Sequence, residues 1–427
     1  VLPGGGDVGS FDMRAIVTLI IFLIIGYIGS RRFVSRAMHR YPWNGLLVTG
    51  GEFLILGVLL GPKASGLITG DVMTDLKPVI YLTLGSIGLL VGLELSWDYV
   101  RKTSGEFVRV LVQDAAVFLI LVSLACYLLL KQVFPEYQPR ERLLSATVLG
   151  ITALVSSPTL IALLTRILPS RGPFTTTIKV MAAYNPFIPL LAFGSLMTVV
   201  HPRFYGVEIF GAGLLWWLFL NMVAIALGFF MVLFTRERCS DNEMLLLIVG
   251  TVLIVGGVCY FLRLSSLYTG MVMGFVVGNL SRKREQIHRE LHLIEKILFV
   301  AFLILVGASL DFENRQVFAL AGVYVAVRLF LKYASTGGFL WKTFPERCPL
   351  GARSGLVLVA QGGIALAIAL DYALATGSVL AGRTLTIVAI AVVVNDVLAV
   401  LLTRRILVGA GEVAARSDGK RGDRRNE

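Results

Sequence analysis

Residues 145–168 read SATVLGITALVSSPTLIALLTRIL, and residues 353–370 read RSGLVLVAQGGIALAIAL. Each is an apolar block long enough to cross a hydrocarbon core of about 30 Å, and each is interrupted near its centre. In the first, Pro158 removes one helical hydrogen bond, and Ser156 and Ser157 can satisfy a freed carbonyl. In the second, Gln361, Gly362 and Gly363 permit a local unwinding. Either break alone reads equally well as a kink in a tight bundle. Two breaks at matching positions say more. Irregular backbone at membrane depth needs protein or a cavity around it, and paired broken helices mark transporters built from inverted repeats, with a site at the midplane.

Working outward, apolar blocks recur along the 427 residues, of which 56% are hydrophobic and only 15% charged. A soluble chain of this size would carry about 25% charged residues. That excludes a soluble enzyme and a nucleic-acid binder. We expect an all-α polytopic membrane protein with no cofactor and thirteen transmembrane helices, at 15–29, 43–60, 78–95, 107–130, 143–168, 176–200, 207–234, 244–262, 267–280, 291–310, 316–334, 354–370 and 384–403. The first six and last six would form two inverted six-helix repeats, with the seventh as connector and two broken crossing helices at the fifth and twelfth. With the N-terminus outside, the inner segments carry 27 Lys and Arg and the outer ones 10, a strong positive-inside bias. The net charge of +12 reads as the same bias. The expected organisation is an outer N-terminal segment 1–14, a transporter domain 15–408 with core and dimerisation subdomains, and a basic cytoplasmic tail 409–427. The bilayer would be a bacterial or archaeal plasma (inner) membrane. Cys126, Cys239, Cys259 and Cys348 fit no metal spacing, and disulfides are not expected.

Several stretches resemble the monovalent cation:proton antiporter superfamily, nearest its sodium/proton and Kef-like branch. VTGGEFLILGVLLGP looks like that family's second span, with Gly51, Glu52, Gly57, Gly61 and Pro62 at its signature positions. LGSIGLLVGLELSWDYVRK is similar to its Gly-Leu-Glu-Leu segment, at Gly92 to Leu95. TALVSSPTLIALL and LVAQGGIALAI look like the two crossing helices, and VGASLDF (Val306 to Phe312) like the end of its tenth span. The resemblance implies a homodimer with a moving core, in which a monovalent cation and protons compete for a carboxylate beside two unwound helices.

The sixth span departs from that pattern. The family carries its coupling aspartate there, usually after Asn, Gln or Asp. Here the stretch is KVMAAYNPFIPLLAFGSLM, so Asn185 matches and Pro186 stands where the acid should be, with no Asp or Glu from Thr175 to Pro202. Ile364 also stands where Kef-like members often carry glutamate. Coupling to protons needs a group that titrates. Asp396, in VAIAVVVNDVLAVLL, lies about twelve residues into the thirteenth span, near mid-membrane. An isolated carboxylate there costs about 3 kcal/mol, so it is expected to be protonated, paired or cation-bound. The expectation is that Asn395 and Asp396 supply the missing acid from the opposite repeat, with Asn185, Ser156, Ser157, Thr152 and Gln361 as neutral ligands. The competing reading makes Asp396 structural, capping a broken neighbour or bridging to Arg328.

Arg328 lies about twelve residues into the eleventh span, in VAVRLFLKYAS, with Lys332 one turn later. Arg328 is expected to meet core acid or the crossing-helix ends. Lys332 is expected to snorkel to the cytoplasmic surface, and Asp114 is a candidate partner for either. Glu52 reads as a packing or gating residue, and Glu94 and Asp371 as span-end residues without special role. His39, His201, His288 and His292 read as solvated interface positions, with a pH sensor at His288 and His292 as the alternative. The leading functional expectation is Na⁺ or K⁺ exchange for protons by elevator-like alternating access. An ion-coupled carrier of a small organic anion and a non-transporting sensor are the alternatives.

Overall fold

Gly270, Gly274 and Gly278 recur every four residues in helix α11 (Ser266–Leu280), and they face Gly85, Gly88 and Gly92 of α3 (Lys77–Glu94). A Cβ on Gly88 would lie 2.1 Å from the Leu267 carbonyl oxygen, and one on Gly274 would lie 2.2 Å from that of Leu89. Lipid supplies no hydrophobic drive between helices, so close backbone contact through small residues is what holds such a pair. The same device joins α1 (Gly51–Leu60) to α12 (Arg284–Ala308), where Gly57 meets the Ile304 carbonyl and Gly307 meets that of Leu54.

The computed structural model describes residues 50–97, 101, 103–200, 212–235 and 241–413. The expected first span at 15–29, the segment 1–14, the start of the second span, His39, His201, Cys239 and all of the tail beyond Val413 lie outside the described residues. The remaining helices are α2 (Gly70–Asp75), α4 (Gly105–Val133), α5 (Pro139–Leu154), α6 (Pro158–Ile167), α7 (Pro173–Tyr184), α8 (Phe187–Val200), α9 (Ala212–Phe234), α10 (Asp241–Leu262), α13 (Gln316–Leu331), α14 (Gly338–Thr343), α15 (Gly362–Thr376) and α16 (Val379–Gly409). A π-helical stretch Lys332–Gly337 joins α13 to α14, and a 3₁₀ stretch Gly351–Val359 precedes α15. Among the described residues, eight helical stretches are long and apolar enough to cross a membrane, with α5–α6, α7–α8 and α13–α14 each taken as one; the number is ten if each of two bent pairs is one span, beside two shorter apolar helices.

These helices fall on the expected second to thirteenth spans but run past several expected ends. The eleventh reaches Thr343 rather than 334, and the thirteenth covers Val379–Gly409 rather than 384–403. Hydropathy registers only the part inside hydrocarbon, whereas backbone hydrogen bonding carries a helix into the polar interface.

Packing divides the helices into two bundles. One gathers α1, α3 and α9 to α12; the other gathers α4 to α8 and α13 to α16. They meet where α8 and α15 lie against α11, α3 and α9. The second bundle contains both interrupted segments.

Candidate ion site at the crossing of two broken helices

Both predicted breaks are real. α5 ends at Leu154, three residues run extended, and α6 begins at Pro158. The twelfth span bends by 59° between its 3₁₀ stretch and α15. The breaks touch: the Ser157 amide donates to the Ala360 carbonyl at 2.8 Å, and the Ser156 hydroxyl donates to the Leu358 carbonyl at 2.8 Å. Gly362 has φ +69°, and a Cβ there would lie 2.8 Å from the Ser157 Cβ. Only glycine satisfies both that conformation and that approach. Gly363 faces the Phe299 ring of α12 across the bundle boundary.

Four half-helix ends converge here, two positive and two negative, and the sequence supplies a partner for each. Asn185, at the end of α7, accepts from the Ser156 amide at 2.7 Å through Oδ1. Asp396 Oδ1 accepts from the Gln361 amide at 2.9 Å and the Gly362 amide at 3.3 Å. The negative ends meet Arg328, which is fully buried. Its Nε donates to the Ala153 carbonyl at 2.8 Å, its Nη2 to Val155 at 2.7 Å, and its Nη1 to Val359. Arg328 therefore engages the crossing-helix termini rather than an acid.

The expected neutral ligands are largely engaged in holding the crossing. Gln361 Nε2 donates to the Thr152 carbonyl at 2.8 Å and lies 3.0 Å from the Tyr324 hydroxyl, while its Oε1 accepts from Asn395 Nδ2 at 3.0 Å. The Thr152 hydroxyl lies 3.1 Å from that of Tyr324 and donates to the Leu149 carbonyl. Ser157 Oγ accepts from the Leu160 amide and caps α6. Two buried oxygens at the crossing have no hydrogen-bond partner among the described residues: Asp396 Oδ2 and Asn395 Oδ1. Asp396 is 1% exposed and Asn395 0%. Buried polar atoms are normally paired, so each of these oxygens is open to a further partner.

Two expectations need correction. Lys332 does not snorkel. It is 0% exposed, donates to the Leu154 carbonyl at 3.3 Å and the Ser156 hydroxyl at 3.1 Å, and lies 4.7 Å from the Phe118 ring centroid. The π-helical register around Lys332, with Gly337 and Gly355 in contact with the neighbouring backbone, turns its side chain inward. Asp371 is not an idle span-end residue either: it is buried and accepts from Ser265 and Leu267. Asp114 accepts from the hydroxyls of Ser335 at 2.7 Å and Thr336 at 2.9 Å, and forms an ion pair with neither Arg328 nor Lys332. Glu52 sits in the first turn of α1, away from the crossing, with no partner for its oxygens among the described residues.

Tyr324 escaped the sequence reading although it ties Thr152 to Gln361. Its signal was positional: it stands one helical turn before Arg328 and so shares its face.

A family model described as sodium/hydrogen exchanger, transmembrane, matches residues 33–409. No curated protein matches the chain. Among solved structures, that of the sodium proton antiporter MjNhaP1 from Methanocaldococcus jannaschii at pH 8 aligns with a TM-score of 0.64 at 14% identity, covering 92% of this chain and 99% of that one. An electron-microscopy map of the same antiporter gives 0.57 at 13% identity, covering 97% and 100%. At such identity the likeness carries the fold, and the family match carries the rest. The chain belongs to the transmembrane sodium/hydrogen exchanger family.

Proposed function

We propose that this protein exchanges a monovalent cation, Na⁺ or K⁺, for protons, with Asp396 as the group for which the two ions compete. The observation that supports this is the carboxylate at the crossing, with Oδ1 held by two amides and Oδ2 without a hydrogen-bond partner among the described residues, as is Oδ1 of the preceding Asn395. A cation would take the two orphaned oxygens, and a proton would take Asp396 Oδ2. Either one neutralises a buried charge, which is the physical basis of competition. Pro186 removes the usual acid of the sixth span, and Asn185 keeps the capping half of its task. In this reading the second bundle is the moving core and the first the dimerisation scaffold of a homodimer in an inner membrane, operating by elevator-like alternating access. The reciprocal helix pairs, second span with tenth and ninth with third, support inverted repeats.

The organic-anion reading is weaker. It needs positive half-helix ends free to hold a carboxylate, and both such ends at the crossing are capped, by Asn185 and by Asp396. Arg328 is engaged by three carbonyls.

The test is proton flux in proteoliposomes under an imposed ΔpH, with Na⁺, K⁺ and Li⁺ added in turn. Cation-dependent flux that falls at least tenfold in Asp396→Asn is expected, since the amide keeps the acceptor and loses the titration. Unchanged exchange in that variant would overturn Asp396 as the coupling group. No flux in folded wild-type protein would overturn exchange itself.

A further inference from the structure

Asp371 lies on α15, in the bundle that holds the crossing, yet its hydrogen bonds reach the other bundle. Its Oδ2 accepts from the Ser265 hydroxyl at 2.7 Å and from the Leu267 amide at 3.4 Å. Ser265 is the N-cap of α11, and its Oγ also accepts from the Tyr268 amide at 3.2 Å. A carboxylate from one bundle thus closes the N-terminus of a helix in the other, where the helix dipole and free amides favour negative charge. A second link lies at the same end. The Asp311 amide, just after α12, donates to Thr386 Oγ1 of α16 at 3.0 Å, and Asp311 is itself held by Lys63. Between these links the bundles touch through small or apolar groups. Gly194 of α8 packs against the Tyr268 ring, where a Cβ would come within 2.2 Å. The joint has a smooth apolar middle and a polar clasp at one end, the end that loop charge assigns to the outside.

We propose that Asp371 is a protonation-operated latch between the two bundles: ionised, it holds them together at the Ser265 end, and protonated, it lets that end part. Protonating Oδ2 turns its acceptor into a donor and removes the charge facing the α11 amides. Its surroundings leave the carboxylate as the charge that sets this contact. The side chains that the neighbouring helices bring to this end are the Tyr81 phenol of α3 and the Cys259 thiol of α10. α8 and the described length of α11 bring no ionisable acid or base, apart from the Tyr268 hydroxyl bonded to Asn221. Arg263 stands in the turn before α11. At the same end, Glu141 and Arg142 open α5, and Arg383 on α16 faces Glu136. The use of the latch in transport rests on the exchange reading above; the latch itself does not.

Hydrogen exchange separates the two. The full chain in lipid nanodiscs is followed by mass spectrometry from pH 5.5 to 8.5, with rates corrected for intrinsic pH dependence. Protection of the amides at 267–270 is expected to fall by about tenfold toward the acid end in wild type, the ratio that corresponds to 1.4 kcal/mol. In Asp371→Asn, which keeps an acceptor but cannot ionise, protection should not vary with pH. Ser265→Ala should lower protection at every pH while keeping the acid-side fall through the Leu267 amide. Asp396→Asn should leave the fall intact even where flux is lost. A pH-independent wild type, or an undiminished fall in Asp371→Asn, overturns the latch. Absent flux with an intact fall overturns only the exchange reading. Should Asp371→Asn fail to fold, Asp371→Glu and the wild-type titration decide: a glutamate that leaves the titration midpoint and amplitude unchanged would also overturn it.

Discussion

Arg328 shows how one side chain can fix an otherwise unaffordable piece of backbone. Three carbonyls from two broken helices turn toward it, and a guanidinium presents donors in the planar fork that reaches all of them. Arg328→Met would orphan three buried acceptors, each worth about 1–3 kcal/mol. The expected result is a loss of roughly 3–5 kcal/mol, read as a large drop in thermal midpoint in detergent. Arg328→Lys should recover only part of it, because one ammonium cannot span both chains. The type and depth of this residue were legible in the sequence. Its partners were not, since the sequence gives no means of telling a carbonyl from a carboxylate as the group it meets. Lys332 and Asp371 were misread for a related reason. Distance along a span measures depth, and burial depends on which way the helix turns.

At the scale of elements, two contacts make separate predictions. The α3–α11 pair depends on backbone approach, so Gly88→Ala should destabilise by several kcal/mol, in the range of overpacked cores. Gly250→Ala, on α10 with nothing within 4 Å of the added Cβ, should be neutral or stabilising by up to about 1 kcal/mol. Thermal unfolding of the two variants side by side checks this. The second contact is Glu412, just beyond α16. Its Oε1 accepts from the Phe174 amide at 2.8 Å, and its Oε2 accepts from the Thr175 amide and hydroxyl, each at 2.7 Å. It closes the start of α7, the helix that ends at Asn185. Glu412→Ala should cost about 1–2 kcal/mol, as lost helix caps do, and speed hydrogen exchange at 173–176. The start of α7 carries no cap of its own, because Gly172 precedes Pro173. A missing local cap was the only trace in the sequence of a partner 238 residues away.

For the whole molecule, one titration outside the membrane reports on the first bundle. His288, near the start of α12, lies 3.9 Å from Glu94 at the end of α3, and the interaction with that carboxylate is the main cause that raises its pKa above the ordinary 6.5. A raised histidine pKa stabilises the folded state in full below the unfolded value, and the contribution is lost as pH rises through the folded value. The His288 titration, followed by NMR of ring-labelled protein, should therefore have a midpoint above 6.5 that falls in Glu94→Gln.

The sequence by itself determined the membrane class, the two breaks at Ser156–Pro158 and Gln361–Gly363, and the family. These follow from hydrophobic block length, from residues that cannot continue a helix, and from motif order, all of which are local along the chain. Tertiary structure alone decided that the breaks cross and bond to each other, that Asp396 caps one of them with a single oxygen, and that Asp371 reaches across to α11. Those outcomes depend on helix rotation and on partners 34 to 202 residues away, and a linear pattern of polar and apolar residues encodes neither.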